Sequence, residues 1–255
     1  MFMDILAAAA IALSFLTVLP APHAEWTPAR LRYFPVVLPL AGLAVGGLGI
    51  FLFVRLSRWG VSVTFRAVLM TLFYLFITGG LHMDGFMDTC DAVFSRQGRE
   101  ERLKILADAS AGAFAVMGCA AVLLLKVGIF SELLGAPGSA GALVALTLLP
   151  VYSRLGVGAL FYLPFAREDG LALTLGKARL PAGRLILLGG GALSAAAASL
   201  LGLRWLVIPL FGGVFLHFYG HWCVRVFGGV TGDLLGAFVE LSETLMLLVF
   251  IVVRE

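Results

Sequence analysis

Three carboxylates stand close together in the segment GGLHMDGFMDTCDAVF, residues 79–94, which follows a long apolar run. On a helix at about 100° per residue, Asp84, Asp88 and Asp91 fall in one stripe about 10 Å long. Charged groups beside a membrane are costly unless they bind something. Mg²⁺ takes one or two carboxylates together with waters and substrate phosphate oxygens. The stripe therefore predicts a Mg²⁺ site that supports phosphoryl chemistry at a membrane surface.

A second interpretation of these aspartates is structural. An aspartate near a helix N-terminus caps the helix and interacts favourably with its dipole, which explains Asp84. It does not explain Asp88 and Asp91, which continue the stripe for two more turns. Three like charges on one face repel each other unless a cation or protons neutralise them, and this favours metal binding by all three. His82 either points away from the stripe on the same helix or lies in a turn before it.

The most charged stretch of the chain follows at residues 95–112, SRQGREERLKILADASAG. Its mixture of charged and apolar residues fits an amphipathic helix lying on the membrane surface. Arginines such as Arg99 are equally suited to binding phosphate groups. Asp108 precedes the next apolar segment, where it either adds a fourth carboxylate to the site or caps a helix.

A glycine-rich segment, GGVTGDLLGAFVE at residues 228–240, precedes the last apolar run. Thr231 and Asp233 can cap a helix there, but glycines also let a backbone approach a ligand, and a helix N-terminus attracts anions. Asp233 would repel a bare phosphate, so it predicts a metal between the two groups.

Glu240 and Glu243 lie further along the same apolar run. A carboxylate within a membrane segment is a candidate functional group. The alternative for Glu240 is a structural ion pair with a basic residue of another apolar segment. The candidates are Arg66, Lys126 and Arg154. Lys177, in the loop REDGLALTLGKAR, is suited to an acidic substrate, although a basic loop residue also serves as a simple topology signal.

These residues belong to a membrane protein. Of 255 residues, 61% are hydrophobic and 13% are charged, whereas soluble domains carry about 25% charged residues. The apolar runs are long and do not alternate, which favours helical spans over a barrel. We expect an all-α, polytopic membrane bundle of about six to eight helices, forming a single domain over residues 1–255. The apolar segments lie near 4–20, 35–57, 61–82, 112–135, 139–164, 184–202, 204–227 and 233–253.

If successive apolar segments cross the bilayer in opposite directions, all candidate site residues that lie between the segments fall on one side of the membrane. The loops on that side are 21–34, 83–111, 165–183 and 228–232, and they carry most of the basic residues. The positive-inside rule then predicts a multi-pass protein of the cytoplasmic (inner) membrane with its site facing the cytoplasm. A transporter usually shows repeats and a midplane site. Charges gathered at one face favour an enzyme, with membrane lipid around it and no nucleic acid as a partner.

Two segments resemble the signature of the cobalamin synthase family, also called adenosylcobinamide-GDP ribazoletransferases. They are GGLHMDGFMDTCDAVFS at 79–95 and GGVTGDLLGAFVELSE at 228–243. LSFLTVLPAP, FPVVLPLAGLAVG and AREDGL are weaker matches. The resemblance implies a Mg²⁺-dependent transferase of the cytoplasmic membrane. Its substrates are adenosylcobinamide-GDP and α-ribazole or α-ribazole 5′-phosphate. Its products are adenosylcobalamin, or the 5′-phosphate, and GMP.

Carried onto this chain, the resemblance makes Asp84, Asp88 and Asp91 the expected Mg²⁺ ligands and catalytic residues. The ribazole 3′-hydroxyl would attack the phosphorus linked to cobinamide, with Asp108 or Glu240 as the expected general base. The expected substrate-binding residues are His82, Arg99, Lys177, Thr231, Asp233 and Glu243.

One position departs from the family pattern. The family usually has Asp-Ser-Arg-x-Gly where this chain has DASAG at 108–112, so Ser110 replaces a basic residue. Arg99 or Arg102 is the expected substitute. Other membrane transferases with Asp-rich Mg²⁺ motifs are alternatives, among them CDP-alcohol phosphotransferases and aromatic prenyltransferases, but their aspartate spacings differ. Self-association and the docking of other cobalamin-pathway enzymes are compatible with this arrangement.

Overall fold

The computed structural model describes residues 1–135, 140–200, 202 and 206–253, and within these ranges the regular elements are all helical. This confirms the all-α prediction. The elements are α1 Phe2–Leu16, α2 Pro28–Leu31, α3 Phe34–Ser57, α4 Val63–Ile77, α5 Leu81–Phe94, α6 Arg99–Ile105, α7 Ala113–Gly135, α8 Ala140–Leu160, α9 Leu171–Lys177, α10 Gly183–Leu200, α11 Val207–Phe227 and α12 Gly232–Val253.

Five helices in the described part of the chain are long and apolar enough to cross a membrane: α3, α7, α8, α11 and α12. A sixth span arises if α4 and α5, which meet at 90°, are counted together. The expected six to eight spans are thus reached only at the lower bound. The reason is that α1 and the apolar part of α10 are shorter than the roughly 20 residues a span needs.

The chain turns sharply between α4 and α5. Gly79 and Gly80 have φ angles of +60° and +77°, a left-handed conformation that glycine adopts at little cost. The apolar segment predicted over 61–82 therefore does not form one helix: α4 ends at Ile77, and α5 runs at a right angle to it. His82 lies on α5 and not in the turn.

The last helix, α12, lies at the centre of the bundle and contacts α5, α7, α8 and α11. Two buried ion pairs join it to its neighbours: Lys126 of α7 with Glu240, and Arg154 of α8 with Glu243. Ser153 also donates a hydrogen bond to Glu243 over 2.7 Å. The structural alternative considered for Glu240 is therefore observed, with Lys126 as its partner.

Backbone hydrogen bonds join the loops at one end of the bundle. The segment before α9 pairs with the segment before α12, where Val230 N donates to Pro164 O over 2.8 Å and Ala166 N donates to Val230 O over 3.0 Å. Leu180 N donates to Arg32 O over 2.9 Å. We call this the motif end of the bundle, because the loops 21–34, 83–111, 165–183 and 228–232 meet there, as the alternation of segments predicts.

Candidate active site

A cavity of about 260 Å³ opens at the motif end and is lined by residues of α1, α3, α5, α8, α9 and α12. The segments 79–94 and 228–240 both contribute to it. His82 and Asp84 come from α5, and Thr231 and Asp233 come from the start of α12. The rest of the lining is mainly apolar and includes Phe34, Leu38, Val157, Phe161 and Phe165. A cavity lined by both charged and aromatic side chains suits a ligand with both an anionic and an apolar part.

Three carboxylates form an acidic group beside this cavity. Asp84 is exposed, while Asp88 and Asp233 are partly buried. The negative charges of Asp84, Asp233 and Asp91 all act on Asp88, and Arg167 supplies a positive charge. Repulsion within such a group is relieved when a cation binds, which is consistent with the stripe's predicted chemistry.

Asp233 reaches this group because α5 and α12 approach each other closely at Gly85. A Cβ atom on Gly85 would lie 2.7 Å from Asp233 O and 2.8 Å from Asp233 Cα. Real Cβ atoms do not approach backbone atoms so closely, so only glycine allows this packing. The contact holds the first turn of α12 beside the aspartates of α5.

A Gly85→Ala variant is expected to separate α5 from α12 and to reduce both stability and activity. The added methyl meets backbone atoms, which cannot rotate away, so overpacking should cost about 1–3 kcal/mol of unfolding free energy. Unfolding in detergent and turnover of the same preparation measure the two effects. Gly98→Ala is the matched control, because a Cβ there meets nothing within 4 Å. Equal behaviour of the two variants would contradict the close approach.

Thr231 caps α12, as the simpler interpretation predicts. Its Oγ1 accepts a hydrogen bond from Leu234 N over 3.3 Å and donates to Asp233 Oδ2 over 3.2 Å. The hydroxyl therefore begins the helix and orients the Asp233 carboxylate at the same time.

Asp91 has a structural role that its place in the stripe did not reveal. Its Oδ2 accepts a hydrogen bond from Gly112 N over 2.6 Å, and its Oδ1 accepts one from Ala115 N over 2.8 Å. These N–H groups lie at the start of α7, where helix donors have no intrahelical partner. In the described ranges, no three His, Cys, Asp or Glu side chains are grouped so that they could hold one ion. Metal binding by the full stripe stays a prediction.

An Asp91→Ala variant is expected to lower the unfolding free energy by about 2 kcal/mol, because two donors of α7 lose a charged acceptor. An Asp84→Ala variant should leave it nearly unchanged, because Asp84 is exposed. Unfolding of both variants in the same detergent provides the comparison. Equal shifts would show that Asp91 does not support α7.

Two arginines lie against the glycine-rich segment before α12. The guanidinium of Arg99 occupies the space that a Cβ on Gly228 would need, and Gly228 has a φ of +83°. Arg167 Nη2 donates to Leu103 O over 2.8 Å, and its Nη1 lies 3.9 Å from Asp233 Oδ2. Arg167 thus links α6 to the start of α12. The sequence assigned Arg167 no role, although its segment was noted through the AREDGL match and as the loop that carries Lys177.

The model of the cobalamin-5-phosphate synthase family matches residues 8–251. The chain belongs to this family. Its curated relatives include the adenosylcobinamide-GDP ribazoletransferase of Roseiflexus sp. (strain RS-1), 34% identical over 92% of this chain and 86% of the relative. That of Desulfitobacterium hafniense (strain Y51) is 35% identical over 93% of this chain and 94% of the relative. The chain is accordingly a transferase of the membrane. No solved structure matches it.

In this cobalamin-5-phosphate synthase family member, the two matching signature segments form two adjoining walls of one cavity. His82 lines that cavity, is buried, and has no hydrogen-bond partner for Nε2 among the described residues. Asp169, which the sequence did not single out, lines it as well.

The other predicted residues lie outside the cavity lining. Asp108 is exposed, and its Oδ1 accepts a hydrogen bond from Ser110 N over 3.0 Å, which forms a local turn before α7. Lys177 is exposed at the end of α9. Glu240 and Glu243 are buried in their ion pairs within the bundle.

Proposed function

We propose that the chain transfers the adenosylcobinamide phosphate of adenosylcobinamide-GDP to the 3′-hydroxyl of α-ribazole or α-ribazole 5′-phosphate. The products are adenosylcobalamin, or its 5′-phosphate, and GMP. The observation that supports this best is the meeting of both signature segments at one cavity, with Asp84, Asp88 and Asp233 beside Arg167. The substrate class follows from the names of the relatives, which are adenosylcobinamide-GDP ribazoletransferases.

Mg²⁺ is the proposed cofactor. Asp84 and Asp88 are one helical turn apart on α5 and would supply two carboxylates, with waters and phosphate oxygens completing the coordination. In the described ranges no third carboxylate joins them closely enough to hold the same ion, so Asp233 would act on it through its charge. Asp91 already accepts two hydrogen bonds at the start of α7, and each of its oxygens keeps a second lone pair for an ion. When bound, Mg²⁺ neutralises the charge that develops on a leaving phosphate.

The protein's own residues position the reacting groups. Arg167 stands between α6 and the acidic group, so its charge offsets phosphate charge near Asp233. Phe34, Phe161 and Phe165 offer an apolar surface for a planar heterocycle. Positioning and charge stabilisation supply most of the acceleration in phosphoryl transfer. Neither Asp108 nor Glu240, the expected bases, lines the cavity.

The proposed site faces the cytoplasm from the cytoplasmic membrane. The basic residues of the loops at the motif end support this orientation through the positive-inside rule. Water-soluble substrates would then reach the cavity directly.

Product formation by the purified protein in liposomes tests the proposal. Adenosylcobinamide-GDP, α-ribazole and Mg²⁺ should give cobalamin and GMP, and both products should disappear with EDTA or in an Asp84→Ala variant. Folded protein that gives neither product, but turns over a CDP-alcohol or a prenyl diphosphate, would overturn it.

A further inference from the structure

A second and larger cavity, of about 840 Å³, lies between α8, α10, α11 and α12. It shares no lining residue with the candidate active site. Leu188 of α10 and Leu210 of α11 line it and are 59% and 66% exposed. The cavity therefore opens at the perimeter of the bundle, and in a bilayer that opening faces the lipid.

The described lining of this cavity is mostly apolar or glycine, and it carries basic but no acidic side chains. Arg184 is the second residue of α10 and Arg225 lies in the last turn of α11, so both lie at the motif end. Both are exposed, and the structure records no ion pair for either within the described ranges. His217 and His221 line the same cavity, with ring centroids 4.4 Å apart.

We propose that this cavity binds one anionic phospholipid from the surrounding membrane. Its acyl chains lie between α10 and α11, and its phosphate lies against Arg184 and Arg225. Basic pockets between transmembrane helices attract anionic headgroups, whereas a free phosphate would leave the apolar walls uncovered. Positive-inside topology accounts for arginines at this end but not for the cavity below them. The lipid site is independent of the proposed function.

Two glycines of α10 allow the cavity to be filled without disturbing the fold. Gly191 lines the cavity, Gly189 does not, and a Cβ at either position meets nothing within 4 Å. Gly191→Phe should therefore place a ring where the acyl chains lie. Gly189→Phe carries the same side chain on the same helix and serves as the matched control.

Native mass spectrometry of the full chain, purified in detergent and supplied with phosphatidylglycerol or phosphatidylcholine, tests the lipid site. Wild type and Gly189→Phe should retain one phosphatidylglycerol per chain, and Gly191→Phe should not. Equal retention by all three, or equal retention of both lipids by wild type, would overturn the proposal.

Removing the arginines tests the headgroup contact separately. Because each basic residue near the surface strengthens binding of an anionic lipid about fivefold, Arg184→Ala with Arg225→Ala should weaken phosphatidylglycerol binding on the order of 25-fold. Phosphatidylcholine binding should stay the same. A matched change at Arg58, which lies at the opposite end of the bundle, should alter neither. Unchanged phosphatidylglycerol affinity in the double variant would contradict the headgroup assignment.

Discussion

An Asp88→Asn variant is expected to lose transferase activity by at least about a hundredfold while still inserting into the membrane and folding. Asparagine has the same shape, so packing on α5 is kept, but one negative charge of the acidic group is removed. Loss of a single preorganised charge or dipole at a reacting centre commonly costs a factor of about 10²–10³. Asp88 lies among the charges of Asp84, Asp233 and Arg167, so its replacement changes the electrostatics of the whole acidic group.

The measurement is the rate of cobalamin formation by purified variants at several Mg²⁺ concentrations. A weakened metal site should raise the Mg²⁺ concentration needed for half-maximal activity, whereas a merely misfolded variant should lose activity at every concentration. Asp4→Asn is the matched control, since Asp4 pairs with the N-terminus on α1, away from the site. Near-normal turnover of Asp88→Asn would show that the acidic group does not hold the catalytic cation.

The sequence predicted the helix that carries the three aspartates, but it did not predict that Asp91 binds the start of α7. Spacing places Asp84, Asp88 and Asp91 on one face of a helix, and this depends only on helical geometry. Which turn of that face meets another helix depends on tertiary packing. The start of α7, where Gly112 donates to Asp91, lies 21 residues further along the chain. No local pattern connects the two, so the capping role was invisible in the sequence.

The bend before α5 shows a similar limit. Apolar character continues without interruption from α4 into α5, so hydropathy predicts one segment ending near His82. The two glycines at 79 and 80 were visible, but glycine permits a left-handed turn without requiring one. The turn places α5 against α12 and brings Asp233 to the site. Hydropathy thus predicted the number of spans within one or two, while the site depends on where a span is interrupted.

Residue types alone could not decide whether the glutamates of α12 serve catalysis or form structural ion pairs. A carboxylate inside a membrane segment is costly whether it serves catalysis or an ion pair, so both interpretations predict the same residue. The partner of Glu240 is Lys126, which is 114 positions away in the chain. Because a buried pair leaves no signature in local sequence, only the packing of α7 against α12 reveals it.

A Lys126→Met variant is expected to lose about 3–5 kcal/mol of unfolding free energy, because it leaves Glu240 buried without its partner. The side chains of both residues are at most 6% exposed, so water does not screen the remaining charge. The double variant with Glu240→Met should recover most of this loss, since replacing both partners of a buried pair by apolar residues is often neutral or stabilising. The unfolding free energies of wild type, the two single variants and the double variant, measured in one detergent, give the coupling energy between Lys126 and Glu240.

Activity of the same double variant separates a structural role of Glu240 from a catalytic one. If Glu240 only holds α12 to α7, the double variant should turn over substrate while either single variant fails through instability. If Glu240 is the general base, the double variant should be stable and inactive. Lys104→Met is the comparison for an exposed pair, because Lys104 binds Glu101 at the surface over 3.0 Å and its loss should hardly change stability. A stable Lys126→Met variant would show that the buried pair does not hold α12 against α7.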